Sequence, residues 1–445
     1  MTQPKPEYST LPEVDVRDRT TLPEVINSDP PEAIHTPWKE AVAPPPPYKS
    51  ATICGMRKKT FWILLVVALV IIIGIAVGVG VGVGVSKKNN SSSSESTTTP
   101  YKQGVASYSQ LAANNYTDAD GVAHSQVYYQ DNSKSIWMAD FNNATEEWYL
   151  SEVVAQNNNS DMTPRMGSPI AAGNYWRNET ELSDFRVIWA DDNDRIRSVF
   201  TLYEAYNTSG WSVLNQYDNF LSIDASSSLV HYLPMCNKTT TCNSADFVGF
   251  QSSNSSSMRV QWFASGGSSG LLYAQNGDVA PDDGSAMAAA PIPKIEKRDM
   301  GYPVVALYLV QDDSLVELYG GSNIDWTNNQ LTISGSKVSV DTGAKLAATS
   351  QYRLDDFNVQ ILMTKAGGGV KMAYMYGDAW ATDNSIDGME DVLPLSPIAA
   401  NQLGRVYAFE NGTDGNPQLV EWQRVTGQKP TFERLGVINT TASTA

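Results

Sequence analysis

The sequence predicts an all-β protein whose main part is a six-bladed β-propeller, preceded by a disordered tail and one transmembrane helix. A short phrase, Leu or Ile followed by two alanines, predicts the propeller because it returns before alternating apolar runs. Its copies begin at Leu111, Ile170, Leu346 and Ile398. A composition with 42% hydrophobic residues, 32 Gly and 23 Pro suits a large core built from many short strands and turns.

A second strand that recurs in six places predicts the number of blades. These strands begin near Gln126, Arg186, Arg259, Ala306, Gln360 and Arg405. Their separations, 60, 73, 47, 54 and 45 residues, are close to the length of a propeller blade. Each unit is predicted to contain four short antiparallel strands, so that six blades close into a ring over residues 105–436. A β-sandwich is the alternative, but its strands would not repeat one phrase in one order.

Residues 1–59 are predicted to form a disordered, Pro-rich cytoplasmic tail. The segment is rich in Pro, Glu and Thr and lacks a strand or helix period long enough to bury a face. Within it, Pro45, Pro46, Pro47 and Tyr48 form a motif of the kind that WW domains bind as a polyproline II strand. A WW-domain protein is therefore a predicted partner, with an ordinary Pro-rich linker as the alternative.

Residues 60–86 are predicted to form a transmembrane helix that acts as a signal anchor. The stretch from Phe61 to Val85 carries no charged side chain over 25 residues. At ~1.5 Å per residue, this length crosses a hydrocarbon core of ~30 Å. A buried core helix is the alternative. Glycines spaced by four on one helix face predict a homodimer through the membrane; they are Gly74, Gly78 and Gly82, and again Gly80 and Gly84.

The glycosylation acceptors predict the orientation of this helix. All Asn-x-Ser/Thr sequences follow the predicted span and none precedes it. The N-terminus is therefore predicted to be cytoplasmic and the C-terminal domain extracellular or lumenal, as in a type II single-pass glycoprotein. The acceptor candidates in the propeller are Asn115, Asn143, Asn178, Asn207, Asn237, Asn254 and Asn411, and further sequons lie at Asn89, Asn90, Asn158 and Asn439.

Residues 87–104 form a predicted Ser/Thr-rich stalk, and residues 437–445 a short C-terminal tail. Cys236 and Cys242 lie on the predicted lumenal side with five residues between them, a spacing that suits a small disulfide ring. A metal site is the competing interpretation, but no histidine or further cysteine supplies the remaining ligands. No metal or cofactor is predicted. Cys54 is either a palmitoylation candidate or a free cytosolic thiol.

Charge and motifs exclude several function classes. A net charge of −17 would repel a polyphosphate, which argues against a nucleic-acid partner. A glycosidase needs two carboxyl groups on opposite sides of the scissile bond. The acidic steps Asp191-Asp192 and Asp312-Asp313 resemble solvated turns instead, and no Ser-His-Asp pattern or phosphate loop occurs. The chain is therefore predicted not to be an enzyme.

The repeating units resemble the fungal fucose-specific lectins of the Aleuria aurantia type. The resemblance rests on an Ile-Ala-Ala strand, a strand of the form Arg-Val-Tyr-Tyr-Gln, a turn, a third strand that ends in Glu, and a downstream Trp. It covers residues 105–436, and the plan of tail, span and head is similar to membrane-anchored fungal members. The resemblance implies sugar sites between neighbouring blades. Each would use Arg from the second strand, Glu from the third and an aromatic wall.

Most units depart from this pattern. At the Arg and Glu positions, in chain order, stand Gln126 and Met138, Arg186 and Ser198, Arg259 and Tyr273, Ala306 and Glu317, Gln360 and Met372, and Arg405 and Glu421. Arg186, Arg259, Glu317 and the downstream Trp326 are therefore predicted to form only weaker, partial sites. The last unit alone holds both charges.

The sixth unit is the predicted ligand site. Trp422 or Phe432 is predicted to supply its aromatic wall, with Tyr128 or Trp148 of the first blade as the alternative across the ring closure. The competing interpretation of Arg405 and Glu421 is a surface salt bridge between adjacent strands.

The sequence thus predicts a membrane-anchored carbohydrate-binding, fucose-lectin-like protein with at most one or few intact sugar sites. Fucosylated or related glycans are the predicted ligands. The alternative is a degenerate lectin propeller that serves as a non-catalytic adhesion, sensing or protein-interaction domain.

Overall fold

The structure is a computed structural model that describes residues 104–155, 162–177, 182–201, 210–213, 221–232, 247–253, 257–262, 269–271, 279–292, 304–320, 326–351, 358–376, 379–425, 427 and 429–441. The predicted tail, span and stalk up to residue 103 lie outside these residues. So do Cys236, Cys242, Asn178, Asn207, Asn237, Asn254 and Tyr273. Across the described residues, no helix has the length and apolar character needed to cross a membrane.

The described strands form six four-stranded antiparallel sheets, in each of which consecutive strands are hydrogen-bonded neighbours. The first three sheets consist of β1 (Ala112–Thr117), β2 (Ala123–Gln130), β3 (Ile136–Asn142) and β4 (Glu147–Val154); β5 (Ile170–Arg177), β6 (Leu182–Ala190), β7 (Ile196–Thr201) and β8 (Ser212–Val213); and β9 (Leu229–Tyr232), β10 (Phe247–Gln251), β11 (Met258–Trp262) and β12 (Ser269–Leu271).

The fourth sheet is followed by a short two-stranded hairpin, and two further sheets complete the set. These elements are β13 (Met287–Ile292), β14 (Val304–Gln311), β15 (Ser314–Gly320) and β16 (Thr327–Gln330); the hairpin β17 (Thr332–Ile333) and β18 (Ser336–Lys337); β19 (Leu346–Gln351), β20 (Asn358–Thr364), β21 (Val370–Tyr376) and β22 (Ala379–Asp383); and β23 (Ile398–Ala400), β24 (Arg405–Asn411), β25 (Pro417–Val425) and β26 (Thr431–Val437).

The six sheets are blades in a closed ring. Their first strands, β1, β5, β9, β13, β19 and β23, contact one another in chain order, and β23 also contacts β1. Blade 6 supplies all four of its own strands, so no strand is shared across the closure. Hydrogen bonds join the two ends instead: the Val105 amide donates to Thr440 Oγ1 at 3.2 Å, and the Gln402 amide donates to Asn115 Oδ1 at 2.9 Å. The predicted six-bladed propeller is confirmed.

The hydrophobic core lies between the blades. Side chains alternate between the two faces of a strand, so each blade buries one face against the blade before it and the other against the blade after it. In blade 6, Tyr407 packs with Tyr129 of blade 1, whereas the adjacent Val406 packs with Leu362 of blade 5. Val406 and Leu362 are fully buried, and each such burial stabilises the fold by about 1.5–3 kcal/mol.

The structure corrects one strand of the predicted repeat. Arg259 was expected to begin the second strand of blade 3, but it lies in the third strand, β11, and the second strand is β10. One recurring hydrogen bond identifies the equivalent positions, because Gln130 N donates to Ser109 Oγ at 2.7 Å in blade 1 and Gln251 N donates to Ser227 Oγ at 2.9 Å in blade 3.

Phe247 of blade 3 therefore occupies the position that Arg405 occupies in blade 6. With this correction, equivalent residues are separated by 60, 61, 59, 54 and 45 residues, a more regular repeat than the predicted one. The prediction failed here because the first strand of blade 3 reads Leu229-Val230-His231, without the alanine pair that identifies it elsewhere. The sequence Arg259-Val260 in β11 resembles Arg-Val in the second strands of blades 2 and 6, so the sequence predicts β11 as a second strand.

Candidate functional site

Arg405 and Glu421 are brought together on neighbouring strands of blade 6. Glu421 in β25 lies directly opposite Tyr407, two residues after Arg405 in β24. The three side chains therefore project from the same face of the blade. Arg405 Nη1 donates a hydrogen bond to Glu421 Oε1 at 2.7 Å, and the Tyr407 hydroxyl donates to the same oxygen at 3.2 Å.

Blade 1 completes this site from across the ring closure. Phe141 and Trp148 lie opposite each other on β3 and β4, with their ring centroids 5.2 Å apart. The Arg405 guanidinium lies over the Phe141 ring, with Cζ 4.5 Å from the centroid, and Trp148 packs edge-on against Tyr407 at 6.3 Å. Arg405 Nη2 also donates to Asn143 Oδ1 at 3.2 Å. Residues of the first and last blades thus form the site together.

The charged pair is largely withdrawn from water. The side chains of Arg405 and Glu421 are 12% and 5% exposed, so the pair is not an exposed surface salt bridge. Burial raises the pKa of Glu421, and the positive charge of Arg405 and the hydrogen bonds from Arg405 and Tyr407 only partly offset this effect. Burial also raises the pKa of Tyr407 well above its usual range, which keeps its hydroxyl a donor.

The site retains unused hydrogen-bonding capacity. Among the described residues, Glu421 Oε2 accepts no hydrogen bond and Arg405 Nε donates none. A charged acceptor and a charged donor are therefore available side by side, next to the half-buried Trp148. This combination suits a small polyhydroxylated molecule, whose hydroxyl groups meet the charges and whose C–H face meets an aromatic ring.

The aromatic wall is not the one expected from the sixth unit itself. Trp422 and Phe432 are buried in the cluster between blades 5 and 6, and Trp422 Nε1 donates to the Gly388 carbonyl at 2.8 Å. Tyr128 is buried between blades 1 and 2, where its hydroxyl donates to Gln126. Of the four expected aromatic residues, Trp148 alone lies at the site.

Alternation along the strand explains this correction. Trp422 is the immediate neighbour of Glu421, so the two side chains leave opposite faces of blade 6. This period of two was readable in the sequence and would have excluded Trp422. Phe141 and Asn143 were missed altogether, because no pattern near Arg405 indicates which residues of blade 1 lie across the closure.

At four of the other interfaces, the described strand positions do not carry both charges. The strand register places Met138, Ser198, Val260 and Met372 at the position that Glu421 occupies in blade 6. Arg186 lies at the Arg405 position as predicted, but its guanidinium bonds Asp184 of its own strand through two contacts of 3.2 Å.

Trp326 and Glu317 do not form the partial site that was predicted for them. Trp326 packs edge-on against Phe247 at 5.7 Å, within the apolar cluster between blades 3 and 4. Glu317 lies on the opposite face of blade 4, toward blade 5, because its neighbours Val316 and Leu318 belong to the cluster with Trp326.

The interface between blades 4 and 5 comes nearest to the site in blade 6. Glu317 accepts hydrogen bonds from the Tyr308 hydroxyl at 3.2 Å and from Asn329 Nδ2 at 3.0 Å. Trp380 of blade 5 lies edge-on to Tyr308 at 6.4 Å, as Trp148 does to Tyr407. The buried Ala306 occupies the position of Arg405, so the described strands of this interface place no cationic donor there.

Three of the acceptor candidates in the propeller lie in the described residues. Asn143 and Asn411 are exposed. Asn115 is half-buried, and its Oδ1 is used by the Gln402 amide at the ring closure. Glycosylation of each of the three stays a prediction.

The fold matches that of solved lectins. A crystal structure of Aleuria aurantia lectin, a six-bladed β-propeller with a fucose recognition mode, superposes with a TM-score of 0.57 at 18% identity, over 77% of this chain and 99% of that chain. SapL1 lectin in complex with α-methyl fucoside gives 0.54 at 18% identity, over 75% and 97%. AofleA from Arthrobotrys oligospora gives 0.51 at 16% identity, over 76% and 88%. No family model and no curated protein matches the chain.

Proposed function

We propose that this propeller, which shares its fold with Aleuria aurantia lectin, is a membrane-anchored carbohydrate-binding protein with one complete sugar site between blades 6 and 1. The observation that carries the proposal is the convergence of Arg405, Glu421 and Trp148 in one partly buried site. A guanidinium fork, a carboxylate acceptor and an aromatic ring are the groups that hold a pyranose by its edge and its apolar face.

We take the ligand to be a fucosylated or closely related glycan. Solved relatives of this fold are described in complex with α-methyl fucoside and with Fucα1-6GlcNAc. Fucose presents adjacent hydroxyl groups together with an apolar methyl group. Glu421 Oε2 and the free edge of Arg405 would bind the hydroxyl groups, and the Trp148 side would face the apolar part.

The proposed role is non-catalytic, and the placement of the acidic turn residues supports this. Asp191 Oδ1 accepts hydrogen bonds from the amides of Asn193 and Arg195, so this carboxylate holds its own turn together. Asp312 and Asp313 both have positive φ at the β14–β15 hairpin. Their side chains therefore belong to a tight turn rather than to a pair of carboxylates that face each other.

A second candidate function is a degenerate lectin scaffold that binds proteins. It is favoured by the interfaces described above, in which the equivalents of Arg405 or Glu421 are apolar or missing, such as Phe247 between blades 3 and 4. This alternative predicts a folded propeller that has no affinity for sugar.

Calorimetric titration of the full-length chain, purified in detergent, with α-methyl fucoside tests the proposal. We expect saturable binding that Arg405→Ala abolishes and that Arg186→Ala leaves unchanged, because Arg186 occupies the equivalent position without an acidic partner on the third strand. Absence of heat at millimolar sugar from folded protein would exclude the sugar site and favour the scaffold function instead.

A further inference from the structure

One end of the propeller axis contains a cavity that the candidate sugar site does not use. Its volume is about 260 Å³, and each of the six blades lines it with an apolar residue at the start of its first strand or, in blade 1, directly before it. These residues are Leu111, Ile170, Leu229, Met287, Leu346 and Ile398. The volume is below the ~300–1,000 Å³ typical of sites for drug-sized molecules, so a ligand of this cavity is small.

The charge of this axial cavity is opposite to the charge of the chain. The whole sequence carries a net charge of −17, yet the charged residues that line the cavity in the described part of the chain are Arg165 and Lys345. Arg165 pairs with Asp194 and donates from Nη2 to the Ala225 carbonyl at 2.9 Å. Its charge is therefore largely compensated, and Lys345 supplies the uncompensated positive charge.

Lys345 differs from every residue at the equivalent position of the other blades. It directly precedes Leu346, one of the six apolar residues that line the cavity. The residues at the same position in the other blades are Gln110, Pro169, Ser228, Ala286 and Pro397. Its backbone is fixed, since its amide donates to Thr364 Oγ1 at 2.9 Å. Within the described residues, its ammonium group makes no hydrogen bond or ion pair. Partial burial lowers the pKa of Lys345, because removal from water disfavours the charged ammonium form.

We propose that the axial cavity binds a small hydroxylated monocarboxylate, with its carboxylate group on the Lys345 ammonium. A single uncompensated cation matches a single negative charge, whereas a dianion would leave one charge unmatched in a partly desolvated cavity. Gln110 and Ser228 line the same cavity and form no side-chain hydrogen bond within the described residues, so they are available to hydroxyl groups of the ligand. The six apolar residues that line the cavity would contact its carbon chain.

Gluconate is the probe that tests this proposal, with sorbitol as the uncharged molecule of similar shape and inorganic phosphate as a charge without a carbon chain. Titration of the full-length chain is expected to show saturable binding of gluconate and no binding of sorbitol. Lys345→Gln is expected to weaken gluconate binding ~10-fold or more, because a charge-assisted hydrogen bond is lost, while Lys345→Arg keeps it within ~3-fold. Glutamine is tolerated at the equivalent position of blade 1, so the first variant is expected to fold.

A second measurement locates the ligand without any variant. Gluconate is expected to slow the acetylation of Lys345 by acetic anhydride, measured by mass spectrometry of peptides, and sorbitol is expected to have no effect. Arg405→Ala leaves gluconate binding unchanged, which separates this cavity from the sugar site. The proposal is overturned if Lys345 is not protected, if Lys345→Gln binds gluconate as well as the parent protein does, or if phosphate binds more tightly than gluconate.

Discussion

The guanidinium of Arg405 lies over the ring of Phe141, 4.5 Å from its centroid, although the two residues belong to the last and first blades of the ring. The aromatic ring contacts the cation while Glu421 Oε1 accepts a hydrogen bond from its Nη1 at 2.7 Å. Arg405 is thus oriented before any ligand arrives, and preorganisation of this kind reduces the cost of binding.

Phe141→Leu tests that orientation. The substitution keeps an apolar side chain but removes the cation–π contact, worth about 0.5–2 kcal/mol. Because Arg405 would be less well held, we expect sugar affinity to fall by about 2- to 30-fold. Phe141→Tyr keeps the aromatic face and is the matched control. Equal affinity of the leucine variant and the parent protein, measured by calorimetry, would show that Phe141 does not orient Arg405.

A pair of tryptophan variants tests which aromatic residue faces the sugar. Trp148→Ala is expected to weaken sugar binding about tenfold, because an aromatic contact is worth ~1–1.5 kcal/mol. Trp422→Phe is expected to leave the affinity unchanged and to lower the free energy of unfolding by about 0.5–1.5 kcal/mol, since the hydrogen bond from Trp422 Nε1 to the Gly388 carbonyl is lost. Calorimetry measures the sugar affinity of both variants, and denaturant unfolding measures their free energy of unfolding. Loss of sugar affinity in Trp422→Phe but not in Trp148→Ala would show that Trp422 forms the aromatic wall of the site.

The raised pKa of Glu421 predicts how sugar binding depends on pH. Burial favours the neutral carboxyl group, so Glu421 takes up a proton at a higher pH than its usual value of 4.5. Sugar hydroxyl groups donate to the carboxylate, so affinity is expected to fall as the pH drops through this raised pKa. Glu421→Gln is expected to bind weakly and with no such dependence. Titrations between pH 4 and 7 measure both curves, and a decline that begins only below the usual value would contradict the prediction.

His124 is predicted to stabilise the fold in a pH-dependent way. Burial lowers its pKa, but hydrogen bonds and charges of Asp140 and Asp118, at 2.7 and 3.4 Å, together raise it above its usual value. Such a group contributes stability that is fully present below about pH 6.5 and is lost as the pH rises through the folded-state pKa. The stability difference between the parent protein and His124→Gln is therefore expected to shrink from pH 5.5 to pH 8.5. A constant difference in thermal unfolding would count against it.

Asn143 links predicted glycosylation to the sugar site, because its Oδ1 accepts from Arg405 at 3.2 Å while its Nδ2 is the acceptor atom of a sequon. A glycan there would crowd the entrance. Thr145→Ala removes the sequon and leaves the Asn143 side chain intact. We expect this variant, expressed in a glycosylating host, to bind sugar several-fold more tightly than the parent protein. Material from a bacterial host is the control, in which the two proteins should bind alike.

The fold was readable from the sequence wherever a local phrase recurred. The Ile-Ala-Ala strands and the strands that begin near Arg186 and Arg405 each carry their own signal, so five second strands were placed correctly. Blade 3 lacks the alanine pair, and Arg259 was misplaced as a result. The charged half of the site was also predictable, since Arg405 and Glu421 lie on neighbouring strands. Its aromatic half was predictable only in part: Trp148 was one of two alternatives across the closure, whereas Phe141 was missed, because contacts across a ring closure follow from the curvature of the whole ring.

The lack of a shared strand between blades 1 and 6 affects the stability of the ring closure. Every other pair of neighbouring blades is joined by the chain itself, so the ring opens most easily where its ends meet. A ligand of the proposed sugar site would contact Arg405 and Glu421 of blade 6 and Trp148 of blade 1, and it would oppose opening because it binds only the closed ring. Sugar binding and closure of the ring would then be coupled, so that removal of blade 1 or blade 6 would abolish both.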